Sequence, residues 1–317
     1  VEESPGRRVV VAIGGNAIVK ETEEGTVYQQ FANTRATVRG VAQLIEAGQS
    51  IVLTHGNGPQ VGNILIRVYH ALGKAYFIPV GVAVAESQGE MGYMIAQTLH
   101  NRMILDGMQR PVASVLTQVI CSPDDPALKN PTKPVGPFYT LEEAETLRAS
   151  GFRLMEDSGR GYRVVVPSPR PNRIVEKESI LVLLEAGVVV IAAGGGGMPV
   201  FVQSDGTLEG IDGVVDKDLA SSLLGKEIGA KELIILTGVP EVYVDYRTPR
   251  QTALREVRIG DLRRYQEDGQ FPVGSMGPKI EAAIEFLEAG GERVLVTSAD
   301  YLVEAYFRGG RGTWIVP

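Results

Sequence analysis

Short apolar runs alternate with helical repeats along this chain. Residues 9–13 form a continuous, mostly β-branched run that stops at Gly14-Gly15, which predicts a buried strand entering a tight loop. Val38, Val41, Ala42 and Ile45 then recur at helical spacing within 31–47, with Gly48 placed to end the helix. Residues 51–54 predict the next strand, His55-Gly56-Asn57-Gly58 its turn, and Pro59 the first position of a further helix. A longer helical pattern covers 82–105. Buried strands are predicted at 112–116, 188–193, 233–236 and 294–297, and helices at 218–224 and 278–289. Such alternation implies an α/β fold with a largely parallel sheet covered on both faces.

One segment breaks the rhythm. Residues 119–171 hold 8 of the chain's 18 prolines, a density that a central strand does not tolerate. The clusters at 131–137 and 167–171 read as two stiff stems, with a helix at 141–149 and a strand at 163–166 between them. A small subdomain projecting from the sheet fits this pattern, and an ordinary surface insertion has the same composition.

Composition narrows the function classes. A chain of 317 residues with 44% hydrophobic and 22% charged positions buries a sizeable core. The net charge of −7 argues against a general nucleic-acid binder, which needs a basic face. A single cysteine, Cys121, excludes an intrachain disulfide and a cysteine-based zinc site, and three histidines offer little for a metal centre. The first residues carry acidic groups and no apolar run. The uncharged stretch 186–202 is interrupted by Gly194 to Gly197 and Pro199, so a spanning helix is not expected and a cytoplasmic location is.

Glycine is the outlier, with 38 residues. Three glycine-bearing loops follow predicted strands: Gly14-Gly15-Asn16, Gly56-Asn57-Gly58 and Gly194 to Gly197, including Gly195 and Gly196. Ligands of open parallel sheets bind beyond the carboxyl ends of the strands, and loops without Cβ atoms let backbone N–H groups approach an anion. The chain has no GxxxxGK[ST] phosphate loop, and the glycines at 56, 58 and 62 miss the dinucleotide spacing by one residue.

Arginine outnumbers lysine 22 to 9, yet the basic residues beside the glycine and proline loops are lysines: Lys129, Lys133, Lys217 and Lys279. A compact ammonium suits a migrating phosphoryl group as a movable point charge. Lys279 near a predicted helix start is disfavoured by the helix dipole, which suggests a specialised role over a decorative one. Asp216 and Asp218 flank Lys217; either serves equally well as a helix N-cap or as a carboxylate holding two ammonium groups. His55 reads as a structural hydrogen-bonding residue.

Eight segments carry a resemblance. VVVAIGGNAI (9–18), HGNGPQVGN (55–63), KNPTKPVGPF (129–138), EDSGRGYRVVVPSPRP (156–171), GGGGMPV (194–200), VVDKDLAS (214–221), ILTGVPEVYV (235–244) and GSMGPKIEAAIEFLE (274–288) resemble the carbamate kinase family of the amino-acid-kinase superfamily, in order across nearly the whole chain. The KNPTKP and VVPSPRP pair is the most specific part, because it marks the subdomain that sets this family apart. Asn16 stands where other superfamily members carry lysine, as this family has it. Gly277 departs from the larger residue common before Pro278-Lys279.

The resemblance implies a three-layer α/β/α sandwich around a mainly parallel sheet, as one amino-acid-kinase domain over 1–317 with residues 119–171 as a projecting lid. It implies carbamate binding within about 1–210 and nucleotide binding within about 211–317. It further implies reversible transfer of a phosphoryl group between ATP and carbamate, magnesium held through the ATP phosphates, a homodimer and a place in arginine metabolism. Carried onto this chain, the catalytic set is Lys133, Lys217, Asp218 and Lys279. The substrate contacts are Gly14, Gly15, Asn16, Gly56, Asn57, Gly58, Gly195 and Gly196, and the nucleotide contacts Lys217, Thr237, Gly238, Tyr243, Met276 and Lys279. Small molecules are the expected partners, with no nucleic acid and no membrane.

Overall fold

The computed structural model describes residues 6–317 apart from 21, 72, 150, 157–160 and 273. Its centre is an eight-stranded sheet, in the order Glu256–Arg258, Thr313–Val316, Arg293–Thr297, Glu232–Leu236, Arg8–Ile13, Ser50–His55, Val189–Ile191 and Val112–Ser114. The last six strands run parallel, whereas Thr313–Val316 pairs antiparallel with Arg293–Thr297 and carries Glu256–Arg258 beside it.

Alternation along the first strand explains the layers. Val9, Val11 and Ile13 face one core, with Val38 and Val41 of the helix Val27–Glu46 and Met91, Ile95 and Leu99 of the helix Val80–Leu105. Val10 and Ala12 face the other, with Ala220 and Leu224 of the helix Lys217–Glu227 and Ile280, Ala283 and Ile284 of the helix Gly277–Glu288. Successive side chains of a strand point to opposite faces, so a wholly apolar strand must lie between two helical layers. The fold is the α/β sandwich around a mainly parallel sheet that the sequence predicts.

The proline-rich segment stays out of this sheet. Its ends, Gln118–Cys121 and Pro171–Ile174, pair with one another in a separate four-stranded sheet with Met198–Val202 and Leu208–Gly210. Between them, Lys133–Tyr139, Tyr162–Val166 and Leu154–Glu156 form a three-stranded sheet beside the helix Leu141–Ala149. The first stem is therefore a strand for most of its length, and Pro134 and Pro137 sit on an edge strand, where a missing N–H costs no ladder bond. Val135, Ala144, Leu154, Val164 and Val166 close a small core with Val61 and Leu65 of the helix Gly58–His70. A Cβ on Gly62 would meet the Gly136 Cα at 2.3 Å, so two facing glycines allow backbone contact between that helix and the subdomain.

Candidate functional site

The parallel strands all end on one rim, and the loops leaving them meet there. Gly14 donates its N–H to the Leu236 carbonyl at 2.9 Å and Gly56 donates to the Ile13 carbonyl at 2.9 Å, which ties three strand ends together. The glycine turn Gly194–Gly196 packs against the loop 55–58, which lies between it and the loop 14–16. A Cβ on Gly194 would lie 2.4 Å from His55 Nε2, one on Gly195 2.0 Å from Asn57 Nδ2, and one on Gly196 2.3 Å from the Val215 carbonyl oxygen. Only glycine permits this interlock. Asn57 is fixed by donating from Nδ2 to Ser87 Oγ at 2.8 Å. Asn16 lies in the first turn by its backbone, and its side chain falls outside the described residues. Gly58 opens the helix Gly58–His70, which places Pro59 second in that helix instead of first.

The helix Lys217–Glu227 begins beside this turn. Asp216 is its N-cap, accepting from the Asp218 N–H at 2.8 Å, which frees Asp218 for another task. Asp218, 4% exposed, holds Lys217 Nζ at 2.9 Å on one carboxylate oxygen and Lys279 Nζ at 3.0 Å on the other. Two lysines 62 residues apart in sequence thus converge on one buried carboxylate. Lys279 also donates to the Ser275 carbonyl at 3.2 Å. Lys217 Nζ is buried and makes no hydrogen bond among the described residues, its approach to Asp218 lacking the geometry for one.

Burial and charge compete within this group. Burial drags the Lys217 ammonium below the ordinary lysine value, with Asp218 opposing and Lys279 adding to the drop. Burial acts to raise Asp218, yet the two ammonium groups together hold its carboxyl well below the usual carboxylate range. Burial also acts against the Lys279 charge, but Asp218 and Asp216 lift its pKa above the ordinary value. His55 is pushed down to about 4, mainly by burial and further by Lys217, against a bond to the Gly56 carbonyl. It is a neutral, packed side chain at neutral pH.

Lys133, from the three-stranded subdomain, reaches the same helix start and pairs with Asp216 at 2.5 Å. Lys129 is exposed and lies outside the group. Beside the lysines opens a cleft of about 800 Å³ lined by Gly14, Gly15, Thr237, Gly238, Tyr243, Met276 and Lys279. All the expected nucleotide contacts except Lys217 therefore share one cavity wall. Ser275 of the segment 274–288 lines it as well, as do Lys20, Tyr246, Arg247 and Gln270, which no motif in the sequence singles out. Among the described residues, no cluster of three or more His, Cys, Asp or Glu side chains could hold a metal ion, and no helix is long and apolar enough to cross a membrane.

A buried carboxylate bridging two ammonium groups beside a glycine-lined cleft is suited to phosphoryl groups, and comparison with known proteins agrees. The amino acid kinase family model matches residues 7–298. The chain belongs to the amino acid kinase family. It is 47% identical to the carbamate kinase of Pyrococcus furiosus, over 98% of this chain and 100% of that protein. It is 42% identical to that of Trichomonas vaginalis, over 98% and 99%. The solved carbamate kinase of Giardia lamblia bound to AMP-PNP superposes with a TM-score of 0.90 at 41% identity, covering 98% of both chains. This amino acid kinase family member is accordingly an enzyme, a phosphotransferase.

Proposed function

We propose that this phosphotransferase interconverts ATP and carbamate with ADP and carbamoyl phosphate, the activity named for its relatives at 41–47% identity. The observation that carries the mechanism is the pair of lysines held by Asp218, with Lys279 lining the cleft. A carbamate oxygen attacks the γ-phosphorus as the bond to the ADP oxygen breaks. That oxygen is already anionic, so no proton moves and no general base is needed. Neutral, buried His55 fits the absence of one. The obstacle is repulsion between two anions, and catalysis comes from alignment and charge neutralisation.

Lys217 and Lys279 neutralise the migrating group, with Asp218 fixing the spacing of their ammonium groups. The glycine loops 14–16, 56–58 and 194–197 present main-chain donors around the acceptor end, and Thr237, Gly238, Tyr243 and Met276 take the nucleoside. Lys133 closes the carbamate side. Magnesium, when bound, would be carried on the nucleotide phosphates and would supply charge neutralisation there. Asp216 and Asp218 already face ammonium groups, a donor set that favours a metal carried on the phosphates with water.

A homodimer is part of the same reading, supported by the exposed apolar side chains Tyr28, Tyr93, Ile104 and Leu105 on two packed helices. The test is ATP formation from ADP and carbamoyl phosphate, run beside a panel of carbamate, acetylglutamate and aspartate as acceptors with ATP. Turnover with carbamoyl phosphate and carbamate alone is expected. Turnover with acetylglutamate or aspartate in their place would refute the assignment.

A further inference from the structure

Ala193 opens the glycine turn with φ +47° and ψ 37°, a left-handed conformation that a residue with a Cβ seldom adopts. It is fully buried. Strain of this kind persists only where the surroundings over-determine it. One residue supplies that constraint at both ends of the turn. The Thr117 hydroxyl accepts the Ala193 N–H at 2.8 Å at the entry, and the Thr117 carbonyl accepts the Met198 N–H at 2.9 Å at the exit.

Thr117 is itself held from three sides. Its hydroxyl donates to the Val115 carbonyl at 2.8 Å, which turns a lone pair toward Ala193. Gln88 grips its backbone twice, donating to the Thr117 carbonyl at 3.1 Å and accepting the Thr117 N–H at 2.8 Å. Thr117 and Gln88 are almost fully buried and touch neither the lysine group nor the cleft.

We infer that Thr117 is a positioning residue: by stapling both ends of the turn 194–197 it aims the main-chain groups of Gly195 and Gly196 at the acceptor substrate. The inference rests on the carbamate-kinase reading. Thr117→Val keeps the side-chain shape and all three bonds of its backbone but leaves the Ala193 N–H without its acceptor and the Val115 carbonyl without this donor. The turn then loosens at the acceptor end, while the nucleotide cleft keeps its lining.

Steady-state kinetics of ATP formation from ADP and carbamoyl phosphate, with melting curves for each variant, test this. Thr117→Val is expected to raise the KM for carbamoyl phosphate about tenfold, the scale of one lost positioning hydrogen bond, with the KM for ADP unchanged. Thr117→Ser, which retains the hydroxyl, is expected to restore it. A KM for carbamoyl phosphate within about twofold of wild type, or equal shifts for both substrates, would overturn the inference. If Thr117→Val does not fold, Thr117→Ala decides: it too removes the acceptor of the Ala193 N–H, without setting a methyl group against that donor. A raised KM for carbamoyl phosphate supports the staple and an unchanged one rejects it. Absence of ATP formation by the wild-type chain would instead reject the functional reading, and this inference with it.

Discussion

At the scale of single residues, the account turns on a carboxylate shared by two ammonium groups. Removing either lysine leaves Asp218 with one partner and the phosphoryl group with one fewer positive charge. Lys217→Ala and Lys279→Ala are each expected to lower kcat by about 10²-fold or more, as loss of a preorganised donor does, in an assay of ATP formation. Near-normal turnover would remove that lysine from the mechanism. The lowered Lys217 pKa adds a pH dependence of definite sign. The ammonium is the working form, so turnover falls as pH rises, and it falls earlier than an ordinary lysine near about 10.4 would allow. Lys217→Arg carries a charge that does not titrate in this range. Its alkaline limb should move to higher pH, and an unmoved limb would assign that limb to another group. These lysines were legible in the sequence because their type and their place beside glycine loops are local features. Lys20, Tyr246, Arg247 and Thr117 were not, since each reaches the site only through a contact made by folding.

At the scale of elements, the start of the helix Lys217–Glu227 does three jobs within three residues. Asp216 caps it, Lys217 projects beside the cleft, and Asp218 gathers the lysines. The open choice between the two aspartates is settled by backbone geometry, since the extended Asp216 can reach the second N–H of the helix. Asp216 also receives Lys133, so the subdomain and the helix share a residue. Lys133→Ala is expected to raise the KM for carbamoyl phosphate while sparing that for ADP. An effect confined to ADP would contradict a role at the carbamate end. Strands and helices with strong local periodicity were readable to within a few residues. The first proline cluster, expected as a stem, is mostly strand because proline excludes a central strand but not an edge one. The antiparallel strand Thr313–Val316 had no local sign either, because pairing direction is a property of the whole sheet.

At the scale of the molecule, the parallel sheet works as a rigid mount. Two apolar cores clamp it from both faces, and the loops after Ile13, His55, Ile191 and Leu236 leave it at the same rim. Glu232 shows how the opposite end is managed: at the start of its strand this buried carboxylate pairs with Arg7 at 2.6 Å and Arg293 at 2.9 Å. Two half-exposed arginines thus keep the buried Glu232 charge from standing unpaired, so that end guards the fold while the rim carries the glycine loops. Division of labour along the strand axis lets the site accept interlocked glycines and a left-handed alanine without loosening the fold. The most direct test of the central claim is a crystal structure of this chain with a non-hydrolysable ATP analogue. The account predicts that γ-phosphate oxygens lie within about 3 Å of Lys217 Nζ and Lys279 Nζ, the distance of a charge-assisted hydrogen bond, with Asp218 still between the two. A terminal phosphate seated away from both lysines would contradict it.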